Sequence, residues 1–294
     1  NDNEDNIDID NSKNITVIQH NNTKNTDDVD VAMAIISFAN ATKTRLVERL
    51  VRSIRMRGEF QGWIVIITDN PGRYDNLEQQ DHRIVTIHPR KQDWEDLPDA
   101  EFATVKMKYK RFKMLLPYYF DLDHRLDHIQ RIVYLDTDMV VCQPLMPWIQ
   151  RKWMESKRER INLWQNKNQT SYMLMYNEGN NAGKVAHSGV ILLHRKESLH
   201  CLDQWKAHAD RGRSTDKRDQ KLLRQMLKTG QEKLHCKIFR MNRDTKGNED
   251  LIFPEKIDFI NRRYARFFHI TNTHLVSTIN ASLQESFLED ALML

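Results

Sequence analysis

Two carboxylates, Asp136 and Asp138, lie inside the segment Arg131-Ile-Val-Tyr-Leu-Asp-Thr-Asp-Met-Val-Val141. Residues i and i+2 of an extended chain face the same side, so both acids can enter one crevice at the carboxyl end of the strand before them. Two hard oxygen donors held there suit Mg²⁺ or Mn²⁺, and such an ion can bridge nucleotide phosphates and neutralise a departing diphosphate. Without a cation, burying one acid beside another raises a pKa and costs stability. The chain contains four Asp-x-Asp triplets, but Asp8/Asp10, Asp28/Asp30 and Asp121/Asp123 lack a preceding apolar strand. The competing reading of Asp136 and Asp138 is a turn-forming or capping pair after a strand.

The elements that must position these acids read as alternating strands and helices. An apolar run predicts a strand from Val31 to Phe38, and Leu46, Val47, Leu50, Val51 and Ile54 at helical spacing predict a helix from Lys43 to Arg57. Strands follow at Trp63 to Thr68, closed by Asp69-Asn70-Pro71-Gly72, and at Ile84 to Ile87, ended by Pro89. A helix over Ala103 to Leu116 then leads to a strand from Arg131 to Val141, interrupted by the two aspartates. Beyond these come a strand at Gly189 to Leu193, helices at Leu199 to Ala209 and Asp219 to Leu227, and strand-like pieces at Lys237 to Asn242 and Phe267 to Thr271. This alternation argues an α/β fold around one predominantly parallel sheet.

Residues 1 to 28 are rich in Asn and Asp, with almost no large apolar side chain, and are expected to form a disordered acidic lead. Residues 29 to 294 show no internal repeat and no Pro/Gly-rich linker, which predicts one domain. The first 30 residues set eight acids against two lysines, a net of −6, so the remainder of this +4 chain carries +10. That excess favours an anionic small ligand or partner, or is simply a solvated surface. No Gly-rich phosphate loop or long basic stripe with interleaved aromatics supports nucleic-acid binding. The longest apolar window, Val31 to Ala39, is about half of what a membrane span needs. Cys142, Cys201 and Cys236 allow one disulfide and no cysteine zinc cage. Asn-x-Ser/Thr sites at Asn14, Asn21, Asn40, Asn168 and Asn280 tilt the expectation toward a glycoprotein of the secretory pathway, in the Golgi lumen with an N-terminal anchor or signal removed. A cytoplasmic location stays open.

The Asp136/Asp138 segment resembles the aspartate signature of nucleotide-sugar glycosyltransferases with the GT-A fold, and the chain from about residue 30 to 275 resembles their glycogenin-like family 8 group. Val31-Ala-Met-Ala-Ile-Ile-Ser-Phe-Ala-Asn40 resembles the family's first strand and nucleoside-binding loop, with Ser37, Phe38 and Asn40 at the donor. Tyr109-Lys-Arg-Phe-Lys-Met-Leu-Leu116 resembles the helix that supplies a basic side chain, Arg111 with Lys110 beside it. His187-Ser-Gly-Val-Ile-Leu-Leu193 resembles the strand beside the donor sugar, placing His187, Ser188 and Gly189 there. Asp219-Gln220 resembles the pair that opens a helix near the reacting sugar, and Phe267-Phe-His-Ile-Thr271 the late histidine segment that completes the metal shell.

The resemblance implies a GT-A domain with a mixed, mostly parallel sheet. It implies an enzyme that transfers a sugar from a UDP-sugar donor to a glycan, protein or lipid acceptor, with retention. Asp136, Asp138 and His269 would hold the metal, and an imidazole in the set favours Mn²⁺ over Mg²⁺. Arg111 would act at the diphosphate, Asp219 on sugar hydroxyls and Gln220 near the anomeric carbon. Each position has a plainer reading: His269 as a core histidine, Asp219 as a helix cap, and Arg111 as part of a basic face with Lys106, Lys108, Lys110 and Lys113. The chain departs from the family at His187, where asparagine is usual, at Asn272 for glycine, at Leu275 for lysine and at Lys221 for a second acid. These departures motivate a second class, a catalytically degenerate nucleotide- or glycan-binding domain. A third, a haloacid-dehalogenase-like phosphatase, matches Leu135-Asp-Thr-Asp-Met-Val140 alone and lacks the family's paired-acid segment.

Overall fold

The computed structural model of the chain describes residues 30–38, 42, 44–70, 72–90, 93, 109–165, 171–177, 186–211, 222–223, 225–226, 235–241, 251–252 and 267–269. The expected acidic lead, residues 1 to 28, lies outside the described residues. Strands β1 (Val31–Ser37), β2 (Trp63–Thr68) and β3 (Ile84–Ile87) alternate with helices α1 (Thr44–Met56) and α2 (Asp75–Gln80). A 3₁₀ turn at Arg111–Leu115 runs into α3 (Leu116–Phe120), followed by β4 (Arg131–Leu135) and β5 (Met139–Val141). Then come α4 (Leu145–Gln165), β6 (Ser171–Asn177), β7 (Ala186–His194), α5 (Leu199–Arg211), β8 (Cys236–Met241), β9 (Leu251–Ile252) and β10 (Phe267–His269).

Seven strands form one mixed sheet in the order β3-β2-β1-β4-β7-β6-β8. β3, β2, β1 and β4 pair in parallel; β7 runs against both β4 and β6, and β6 pairs β8 in parallel. A smaller sheet, β5-β10-β9, branches from the end of β4. β1 explains the layering. Its even-numbered residues Ala32, Ala34 and Ile36 join one core with Phe112, Leu116 and Trp205, while Val31, Met33 and Ile35 join the other with α1 and Trp148. An unbroken apolar run is what a strand covered on both faces requires.

Sequence and structure differ at several elements. The expected strand from Arg131 to Val141 is two strands in different sheets, split by a turn in which Met139 N donates to Asp136 O at 3.1 Å. Of the expected helix ending at Leu116, residues 111–115 are 3₁₀. Pro117 lacks an N–H, so the carbonyl four residues earlier has no α-helical donor and the chain tightens ahead of it. Helices α2 and α4 and strands β6 and β9 were not foreseen. On α4 the buried positions are Leu145, Trp148, Ile149, Lys152 and Ser156, so two polar residues interrupt the apolar stripe that would have announced it. Of the expected Asp219 to Leu227 helix, residues 222–223 and 225–226 are described and helical. Among the described residues no helix is long and apolar enough to cross a membrane.

Candidate active site

β2 and β3 extend to one side of β1, and β4 returns on the other, so the strand order reverses between β1 and β4. Open α/β sheets bind ligands outside the carboxyl ends of their strands at such a point. Here β1 ends at Ser37 and β4 delivers Asp136 and Asp138.

The aspartate turn is clamped from β7, where Gly189 O accepts a hydrogen bond from Asp136 N at 2.8 Å. The Asp136 carboxylate meets a lysine that the sequence reading had grouped with a basic face. Lys113, in the 3₁₀ turn before α3, is 1% exposed, and its Nζ lies 2.9 Å from Asp136 Oδ1, itself on a side chain 22% exposed. The ammonium also donates to Ser188 O at 3.0 Å and lies 4.9 Å from the centroid of the Tyr134 ring. Tyr134 donates its hydroxyl to Asp136 Oδ1 at 2.5 Å. A buried ammonium needs this carboxylate and these oxygens to offset its lost hydration.

Asp138, half-buried on the same turn, is near enough to α1 for its charge to act on Arg49. Burial draws the pKa of Arg49 below the usual arginine value; the neighbouring Asp138 opposes that shift and Arg45 adds to it. β10 pairs antiparallel with β5, setting the His269 backbone opposite Met139, the residue after Asp138. The His269 imidazole lies outside the described side chains. The donor chemistry fits a divalent cation: two partly accessible carboxylates on one turn supply hard oxygens, and strand register brings the histidine to the next residue. Among the described residues, no three His, Cys, Asp or Glu side chains gather into a metal-sized group.

The other expected residues fall as follows. Ser37 is buried and hydrogen-bonds the Tyr74 hydroxyl. Phe38 is in the core, stacked on Tyr109 with centroids 3.9 Å apart and against Phe112 at 4.8 Å. His187 and Ser188 are buried on β7, and His187 Nδ1 accepts from Gly189 N at 3.2 Å. A Cβ at Gly189 would come within 2.4 Å of His187 Cε1 and 2.7 Å of Met139 Cε, so the glycine is required by close approach. Arg111 turns to α5, where Nε and Nη2 lie 3.0 and 2.9 Å from Asp210 Oδ1. Lys110 is half-buried. Thus Asp136, Ser188 and Gly189 come together around Lys113, Asp138 stands two residues further along the turn beside Arg49, and Arg111 is bonded to α5. Asn40, Asp219 and Gln220 lie outside the described residues. Trp148 and Trp205 are buried in the core, which leaves neither indole open to stack on a sugar.

Sequence reasoning missed Lys113, Tyr134 and Arg49. Tyr134 carried a signal, since it stands two residues before Asp136 on the same strand and therefore faces the same side. Nothing local distinguished Lys113 from its neighbouring lysines.

No protein-family model and no curated protein sequence matches the chain. Among solved structures, the galactosyltransferase LgtC in complex with donor and acceptor sugar analogs is 12% identical over 90% of this chain and 96% of that chain, with a TM-score of 0.55. The apo form of the glycosyltransferase GlyE in Streptococcus pneumoniae TIGR4 is 11% identical over 90% of this chain and 60% of that one, with a TM-score of 0.52. The apo bifunctional glycosyltransferase WbbM is 10% identical over 82% of this chain and 46% of its own length, with a TM-score of 0.51. At such identities the likeness concerns architecture, and with the seven-stranded, mostly parallel sheet it assigns the chain the GT-A fold.

Proposed function

We propose that the protein is a metal-dependent glycosyltransferase that moves a hexosyl or pentosyl unit from a UDP-sugar to a glycan, protein or lipid acceptor, with retention. The observation that carries this reading is the aspartate turn at the carboxyl end of β4, where the strand order of a GT-A sheet reverses. Asp136, Asp138 and His269 would hold Mn²⁺, and Mg²⁺ is the alternative that the oxygen donors accept. When bound, the ion supplies Lewis-acid stabilisation of the departing UDP. Lys113 and Tyr134 orient the Asp136 carboxylate. His187 to Gly189 form the wall beside the turn. In this reading Asp219 holds sugar hydroxyls, Gln220 lies near the anomeric carbon, and Arg111, with Lys110, approaches the diphosphate only by exchanging Asp210 for it.

A secretory-pathway location, the Golgi lumen, belongs to the same reading. It is supported by the buried disulfide between Cys201 and Cys236 and by the five Asn-x-Ser/Thr sites.

The test is a hydrolysis screen across UDP- and GDP-sugars with Mn²⁺. Turnover of a UDP-sugar, lost on chelation, is expected. Asp138→Ala should abolish Mn²⁺-dependent UDP binding in calorimetry, and unchanged binding removes Asp138 from the ligand set. UDP binding without hydrolysis or transfer would move the protein to the degenerate binding class, and phosphate release from simple monoesters would favour a phosphatase.

A further inference from the structure

Arg49 lies on the flank of α1 that packs against β5. One turn further along that flank, Ser53 Oγ accepts from Val141 N at 3.0 Å, which fixes the helix against the strand leaving the aspartate turn. Arg49, one turn before Ser53 on that flank, is near enough to the turn for the Asp138 charge to act on its guanidinium. Its Nε and Nη2 atoms are buried and have no hydrogen-bond partner among the described residues. These two N–H groups form one edge of the guanidinium, the edge that takes two oxygens of a phosphate or carboxylate in parallel. Buried donors left without acceptors are costly, and Asp138, although close, does not satisfy them. Arg45, one turn earlier on the same flank, adds a second positive charge, which favours an anionic ligand at the Arg49 edge.

We propose that Arg49 is a direct ligand of the donor diphosphate, gripping it side-on next to Asp138 and giving the site a share of phosphate affinity that needs no divalent cation. The diphosphate as ligand rests on the UDP-sugar reading above; the anion-binding edge of Arg49 does not. Lys113 cannot take this part, because its ammonium is held by Asp136 and Ser188.

The test measures binding of inorganic pyrophosphate, UDP and uridine by calorimetry, in chelator and in Mn²⁺. Wild-type protein is expected to bind pyrophosphate and UDP in chelator. Arg49→Gln should weaken both by roughly tenfold and leave uridine unchanged, the loss expected for one bidentate charge-assisted contact. Arg49→Lys keeps the charge and cannot form the fork. It should lose affinity several-fold, and it carries the test if melting shows that Arg49→Gln does not fold. Wild-type affinity for pyrophosphate in either folded variant overturns the proposal. If UDP binds normally and is indifferent to Arg49, the arginine assignment falls while the transferase reading stands. If pyrophosphate binds through Arg49 but UDP gains nothing over it, the anion site stands and the nucleotide reading falls.

Discussion

Lys113 and Asp136 make an ion pair in which the lysine is almost fully enclosed and the acid only partly so. Breaking such a pair from one side leaves an uncompensated charge, at about 3–5 kcal/mol for a buried pair, with the lower end fitting the partly exposed Asp136. Lys113→Met should therefore destabilise the fold by about 3 kcal/mol, measured by denaturant unfolding. Adding Asp136→Asn to it should return much of that loss, because the second change removes the stranded charge. A double-mutant cycle without coupling would contradict the pairing. The two aspartates were legible in the sequence because an apolar strand precedes them, but the alternation expected to give them a common side does not apply, because they sit in the turn after β4. Lys113 was not, because it is one lysine among several in a basic stretch, and burial depends on packing between segments distant in sequence. Arg111 shows the same limit: its type suits a phosphate, yet α5 places Asp210 against it, and no local pattern forecasts that meeting.

At the scale of elements, the disulfide between Cys201 on α5 and Cys236 at the start of β8 ties a helix to the edge strand of the large sheet, closing a separation of 35 residues. Both cysteines are buried. Serine at Cys201 should lower stability by about 2–4 kcal/mol, read as a lower melting temperature that reductant no longer shifts. Cys142 is a contrasting thiol: burial pushes its pKa up to about 11, so native protein should react with iodoacetamide at pH 8 far more slowly than unfolded protein. Rapid labelling of the half-buried Cys142 in the native state would contradict its raised pKa. Three cysteines allowed one bridge by arithmetic, but spacing could not say which two. Element types were readable wherever apolar periodicity was clean, as on β1, β2 and α1. They were lost on α4, where Lys152 and Ser156 occupy buried positions, and at Arg131 to Val141, where one apolar run serves two sheets.

Across the whole molecule, the two ends of the sheet have separate duties. His194 ends β7 opposite Arg131, at the edge away from the aspartate turn. Its Nδ1 accepts from Glu197 N at 3.3 Å, which requires the unprotonated nitrogen. Burial lowers its pKa below the ordinary 6.5, against the pull of Glu197 and Asp30 and with the push of Arg160 and Arg131. With a folded pKa below the unfolded one, the unfolded chain binds more protons, so this contribution is complete above about pH 6.5 and declines as pH falls from there through the folded pKa. Melting temperatures from pH 8 to 5 should fall, and His194→Gln should flatten part of that slope without changing UDP affinity at pH 7.5. An identical slope in the variant would exclude His194 as a source.

Because β7 alone opposes its neighbours, the stretch joining Asn177 to Ala186 begins and ends on the edge that carries Asp136. That reversal returns the chain to the rim of the aspartate turn, so Ala186 to Gly189 enter the sheet beside Asp136 rather than at its far end.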